Sequence, residues 1–332
     1  MPATPDVPPA PALRPRRGRG RAFLRYAALG VVVAFIAIFV VQEREAFLEG
    51  LRRLDVPSLL AALLAIALGL LAAMMSWRAV LTGLGSRLPV LAAARVYFLG
   101  QLGKYVPGSV WPIVAQAELS KEYGVPRTRA GLAAMVQMLV GLVVGVAIAS
   151  LALATSSPDA FRAYWWIMIA AVAGVVALAP PVFNRVVALA LRVTRRPPAE
   201  PVAGRAVVVS ALWCVGMWLA FGAHMWVLVQ AIGADAPRMF LLATGGYALA
   251  WVVGFLIVVL PAGAGAREAA LVLALSPALG REDALVLALV SRFLMLIGDL
   301  GAAGAAIVAE RVRGRRPGAR DTEHAGEAPP AR

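Results

Sequence analysis

Six stretches of this chain, at about 23–41, 57–80, 130–154, 163–183, 206–231 and 284–309, are apolar over the length needed to cross about 30 Å of hydrocarbon. In lipid the backbone N–H and C=O groups find no water, so such segments are restricted to helices that satisfy those groups internally. Composition agrees: of 332 residues, 61% are hydrophobic and 15% charged, against about 45–50% and about 25% in soluble domains. Mean hydropathy is +0.79. A soluble globule is excluded, and the expected fold class is all-α, a polytopic membrane helix bundle.

The formal net charge of +14 raises nucleic acid as a partner, but its distribution argues otherwise. Arg14, Arg16, Arg17, Arg19, Arg21 and Arg25 precede or open the first apolar run, and Arg311, Arg313, Arg315, Arg316 and Arg320 follow the last. Basic flanks of this kind mark the cytoplasmic side of a membrane protein, and they can also attract anionic lipid. Both termini are therefore expected in the cytoplasm, with no nucleic acid as partner. Residues 1–22, rich in Pro, Ala and Arg, are expected to be a disordered basic arm. The membrane domain is expected over 23–309 and a disordered cytoplasmic tail over 310–332. The run 23–41 ends in Gln42-Glu43-Arg44 without a small-residue cleavage pattern, so it reads as a retained span and not a signal peptide. The single cysteine, Cys214, excludes a disulfide framework and a Cys-based metal site.

Two more apolar stretches, about 89–123 and 239–280, are interrupted by GQLGKYVPGSVW at 100–111 and VLPAGAGARE at 259–268. Irregular backbone at membrane depth is tolerated where protein or a wet cavity satisfies it, so these read as re-entrant hairpins or discontinuous helices. Loop charge is consistent with six crossings. The acidic 42–55 loop falls outside, and the basic 184–205 loop, with Arg185, Arg192, Arg195, Arg196 and Arg205, falls inside. Span, span, hairpin, span then occurs twice in opposite orientation, in halves of about 23–154 and 163–309. Pro107 and Pro261 stand about half a chain length apart. An inverted repeat with Gly/Pro-interrupted segments at matching positions points to a transport site near the midplane; two unrelated kinks are the plainer alternative.

Candidate site residues cluster at the two interruptions. Lys104 and Tyr105 precede Pro107 and Gly108, and Lys104 with the N–H groups of a half-helix starting near Gly108 would suit a phosphate. The alternative is a snorkelling lysine with Tyr105 and Trp111 as interfacial belt residues. In the second, Pro261, Gly263 and Gly265 lead directly into Arg267-Glu268. The glycines allow positive φ or close approach, and Glu268 suits a helix N-terminus; it is either a site carboxylate or a cap. Arg292 and Asp299 lie seven residues apart, on one helical face, and Arg292 can pair with Glu268 or Asp299. His224 is a lone histidine within a span, more in keeping with packing than with ligation. There is no Cys/His metal cluster, no phosphate-binding GxxxxGK[ST] loop and no dinucleotide fingerprint. No metal, cofactor or cytosolic enzyme domain is expected, and no ATPase motif is present.

The motifs GQLGKYVPGSVW with GVPRTRAG at 124–131, and LPAGAGARE with SRFLMLIGDL at 291–300, resemble the lysylphosphatidylglycerol synthase transmembrane-domain family of flippase-like integral membrane proteins. The resemblance covers about 23–309. It implies a lipid translocase of the bacterial cytoplasmic membrane, moving an anionic or polyprenyl-phosphate-linked lipid that carries a glycosyl or aminoacyl group. Its partners would be membrane lipids and a glycosyltransferase or other lipid-modifying enzyme. The matching positions are Lys104, Tyr105, Pro107, Gly108, Pro261, Gly263, Gly265, Arg267, Glu268 and Arg292. No aminoacyl-transferase domain follows the last span, so a stand-alone member is expected. The alternative function is a non-transporting accessory, or an intramembrane transferase using a carboxylate such as Glu268.

Overall fold

In the computed structural model the chain is described at residue 48 and over residues 52–106, 110–156, 158–193, 202–234, 238–257 and 265–314. The expected span 23–41, the arm 1–22 and the breakers Pro107, Gly108, Pro261 and Gly263 lie outside these residues. Among the described residues there are ten α-helices and no strand.

Helix α1 (Val56–Gly83) starts where Asp55, in extended backbone, accepts the Ser58 N–H at 3.3 Å, with a proline in its first turn. Its inward face buries Ala62, Ile66, Leu70, Ala73 and Trp77. Its opposite face exposes Leu60, Leu64, Leu68 and Leu71 at helical spacing. A contiguous leucine stripe open to water would be a liability; facing lipid, it is the expected surface of a span.

Helices α2 (Val90–Gln101) and α3 (Trp111–Leu119) are short and pack on each other. A 3-10 turn, Leu102–Tyr105, ends the first of them, and Val106, which precedes a proline, is extended at φ −88°, ψ 136°. The proline ring disfavours helical backbone at that position. After a second 3-10 turn, Ser120–Tyr123, come α4 (Arg127–Ser156), α5 (Pro158–Ala177) and α6 (Pro180–Val193). The second half comprises α7 (Gly204–Ala231), α8 (Met239–Leu256), α9 (Ala266–Leu279) and α10 (Arg281–Gly314).

Five helices are long and apolar enough to span: Val56–Gly83, Arg127–Thr155, Gly204–Ala231, Met239–Leu256 and Arg281–Val312. Three sequence expectations shift. The span placed at 163–183 stops at Ala177, and a separate helix begins at Pro180, because two successive prolines without N–H groups open a helix more readily than they continue one. The stretch 239–280 contains a helix of span length, α8, so its first arm is not a short half-helix. The tail assigned to 310–332 gives up its first residues to α10, which runs to Gly314. Glu310 anchors this last part. Its carboxylate pairs with Arg95 of α2 at 2.9 Å and accepts a hydrogen bond from Tyr123.

The packing exchanges between halves. Exchanging α1, α2, α3 and α4 with α7, α8, α9 and α10 maps each contact among these eight helices onto another, or for α1 with α7 onto itself. Thus α2 packs on α10 as α8 packs on α4, α3 on α4 as α9 on α10, and α1 on α10 as α7 on α4. The two equivalent helices α1 and α7 form the most extensive contact, at the centre. Small polar residues sit in that seam: Ser76 Oγ lies 2.7 Å from Ser210 Oγ and 3.2 Å from Cys214 Sγ. Small residues let backbones approach closely where burial in lipid supplies no hydrophobic drive between helices.

Candidate functional site

The two interrupted segments converge on one cavity of about 200 Å³ between the halves. The first contributes Gln101, Lys104, Tyr105 and Gln116; the second contributes Trp251, Phe255 and Arg267, and α10 closes the cavity with Arg292 and Asp299.

Lys104 stands in the 3-10 turn, and its Nζ lies 2.6 Å from Asp299 Oδ2. Tyr105 OH donates to the same oxygen at 2.7 Å. Asp299 is only 3% exposed, while the Lys104 side chain keeps 30%. The carboxylate is thus committed to the protein, and the ammonium remains open to the cavity. Lys104 is thus a cavity-lining cation paired with a buried carboxylate.

At the second segment Gly265 has φ +80° and caps α9. That backbone region favours glycine. Glu268, three residues on, accepts the Gly265 N–H at 2.7 Å through one oxygen, the half of a capping box that a glycine cap permits. Its other oxygen pairs with Arg292, and Glu268 is 8% exposed. Glu268 is therefore a cap and an ion-pair partner together. Arg267 differs. Its guanidinium lies 4.7 Å from the Tyr247 ring centroid and donates to the Tyr247 hydroxyl. Among the described residues no carboxylate pairs with it.

Among the described residues, three cations line the cavity (Lys104, Arg267 and Arg292) with the carboxylate of Asp299, and Glu268 pairs with Arg292 from behind, which leaves one net positive charge. Part of the lining is aromatic: Trp218 meets Trp251 edge to face at 5.5 Å, and Trp251 stacks on Phe255 at 5.4 Å. A cationic rim beside an apolar wall can hold a group that is anionic at one end and hydrocarbon at the other.

The structure thus brings Lys104, Tyr105, Arg267 and Arg292 to one cavity, with Glu268 behind Arg292; Gly108 lies outside the described residues. His224 is buried, with Nε2 2.9 Å from Ser291 Oγ and its ring on the edge of Tyr247, as a packed histidine would be. Sequence reasoning missed Asp299 as the partner of Lys104, Tyr247 beneath Arg267, and the glutamines on the cavity wall. The last had a signal, since uncharged polar side chains in apolar runs are costly unless satisfied.

These features define an integral, multi-pass helical membrane protein with a cavity lined by both of its halves and bearing several charged side chains. The model of the lysylphosphatidylglycerol synthase TM region matches residues 27–302, and the chain belongs to that family. Among curated proteins none matches the chain.

Proposed function

We propose that this protein is a lipid translocase of the bacterial cytoplasmic membrane, in which the two interrupted segments form a polar path for an anionic headgroup while the acyl tails stay in lipid. The observation that carries the reading is Arg267, a cation on the cavity wall held by a tyrosine and, among the described residues, by no carboxylate. Such a group can take a phosphate oxygen without first breaking an internal ion pair, and charge-assisted hydrogen bonds to phosphate are among the stronger ones. Lys104 and Arg292 offer second and third contacts. The exchange of packing between halves supports an inverted repeat, the architecture in which one half rocks against the other around a central site. An intramembrane transferase using Glu268 as a base is disfavoured, because both its oxygens are occupied by Arg292 and the Gly265 N–H.

The direct test is headgroup translocation in liposomes containing only this protein. Exchange of a labelled anionic lipid between leaflets is expected above protein-free vesicles; equal rates would end the reading.

Topology gives a second check. On a Cys214→Ser background, cysteines introduced at Glu49 and Asp235 are expected to label from outside and one at Arg195 from inside. Labelling of 195 from outside would remove the inverted repeat.

A third concerns Glu268→Gln, which retains an acceptor for the Gly265 N–H but removes the carboxylate from Arg292. Loss of a cap alone costs about 1 kcal/mol, whereas breaking a buried ion pair from one side costs about 3–5 kcal/mol. A clear fall in thermal midpoint is therefore expected, and a midpoint within a degree of wild type would mean that the pair contributes little.

A further inference from the structure

The uncharged polar side chains of the cavity carry information about the headgroup. Gln101 and Gln116 from the first interrupted segment and Gln137 from α4 line it, alongside Tyr97. Gln116 is 2% exposed and Gln137 8%. The Gln116 carbonyl oxygen is buried, with no hydrogen-bond partner among the described residues. An orphaned buried acceptor is costly in a folded protein, and one on a cavity wall marks where a ligand would supply the missing donor. The backbone makes room for this side chain: a Cβ on Gly100 would lie 2.4 Å from Gln116 Cγ.

Resting on the translocase reading, we infer that Gln101, Gln116 and Gln137 form a neutral hydrogen-bonding subsite for a hydroxyl-rich portion of the headgroup, next to the cationic subsite that takes its phosphate. The preferred substrate class is an anionic lipid with a polyol or glycosyl headgroup, in preference to an aminoacylated one. A carboxamide both donates and accepts, as a hydroxyl does, so the two groups match in either direction. An ammonium could donate to the Gln116 oxygen too, but it cannot accept from the carboxamide N–H groups, and its charge would need a carboxylate. Asp299 is occupied by Lys104 and Tyr105, and Glu268 by Arg292 and the Gly265 N–H. An aminoacylated headgroup would instead bring its charge beside Lys104, Arg267 and Arg292, where like charges repel.

The test is a binding comparison that needs no transport. The purified full chain in phosphatidylcholine nanodiscs is titrated with phosphatidylinositol, phosphatidic acid and lysylphosphatidylglycerol, each brominated on its acyl chains. Quenching of Trp218 and Trp251, which line the cavity, reports occupancy. Wild type is expected to bind phosphatidylinositol about tenfold more tightly than the other two, the scale of one to two net hydrogen bonds. Gln116→Leu/Gln137→Leu is expected to bring phosphatidylinositol down to the phosphatidic acid level while leaving phosphatidic acid unchanged. Both replacements are apolar and of similar size, so a folded protein is expected, and its thermal midpoint is measured alongside. Equal binding of phosphatidylinositol and phosphatidic acid by wild type, tightest binding of the lysyl lipid, or a preference surviving in the double variant would each overturn the inference. The two readings fail separately. Protein that ranks the lipids in this way but moves none in liposomes refutes translocation alone, and protein that moves lipid without the ranking refutes the subsite alone.

Discussion

Arg267→Gln is expected to lower headgroup translocation by about 10- to 100-fold while leaving the thermal midpoint close to wild type. The magnitude follows from the interaction removed: a hydrogen bond to a charged group contributes about 1.5–3 kcal/mol, and each 1.4 kcal/mol is a factor of ten. The small stability effect follows from the geometry. Arg267 leans on the Tyr247 ring and hydroxyl and leaves no carboxylate behind when its charge is removed. Glutamine keeps a donor for the Tyr247 oxygen and shortens the side chain. Arg267→Lys is the informative companion, since it keeps the charge but loses the planar fork that grips phosphate through two parallel bonds. Partial activity for lysine and almost none for glutamine is the expected order. Equal, near-normal rates for both variants in the liposome assay would make Arg267 a structural residue.

Asp299→Asn is expected to produce a clear loss of stability. Asparagine can still accept from Tyr105, but it cannot neutralise Lys104. A fully buried pair broken from one side costs about 3–5 kcal/mol; Lys104 retains 30% exposure toward the cavity, so about 2–3 kcal/mol is the expected loss. The double variant Lys104→Met/Asp299→Asn removes the stranded charge as well, and most of the lost stability should return, a non-additivity that a double-mutant cycle reads directly. Reversible unfolding of the four proteins in detergent supplies the measurement. Additive losses would show that the two groups do not interact energetically, whatever their separation.

How far the sequence reached depended on the kind of information each feature needs. Spans were legible because an apolar run of twenty residues leaves the backbone few options, and α1, α4, α7 and α10 lie where the hydropathy runs placed them. Helix ends were less so. The run 163–183 carried its own stop signal in Pro180-Pro181, and hydropathy alone carried the span past it. Over 239–280 the Pro/Gly cluster marked where one helix stops and the next begins, but not that the first of them, Met239–Leu256, is of span length. At the site, Gly265 and Glu268 were readable because a cap is a local device. The choice of partners was not. Arg292 and Asp299 were correctly placed on one face, yet which of them meets Glu268 and which meets Lys104 depends on where two distant segments dock along α10. The unpartnered carbonyl of Gln116 is less accessible still, because it is defined by what fails to approach it.

The exchange of packing between halves does not extend to charge. Helix α10 carries Arg292 and Asp299 in its interior and grips one interrupted segment with each. Its counterpart α4 has, between Ala130 and Ser156, no ionisable side chain at all. Two arrangements that trade the roles of the halves would therefore share their helix-to-helix surfaces but not their ion pairs. Shape alone would make the molecule indifferent between them, as a balance with equal arms is indifferent. On the translocase reading, the charges on α10 would be the weight in one pan: they would set the resting state, and an anion arriving at Lys104 and Arg292 would compete for the groups that hold it there.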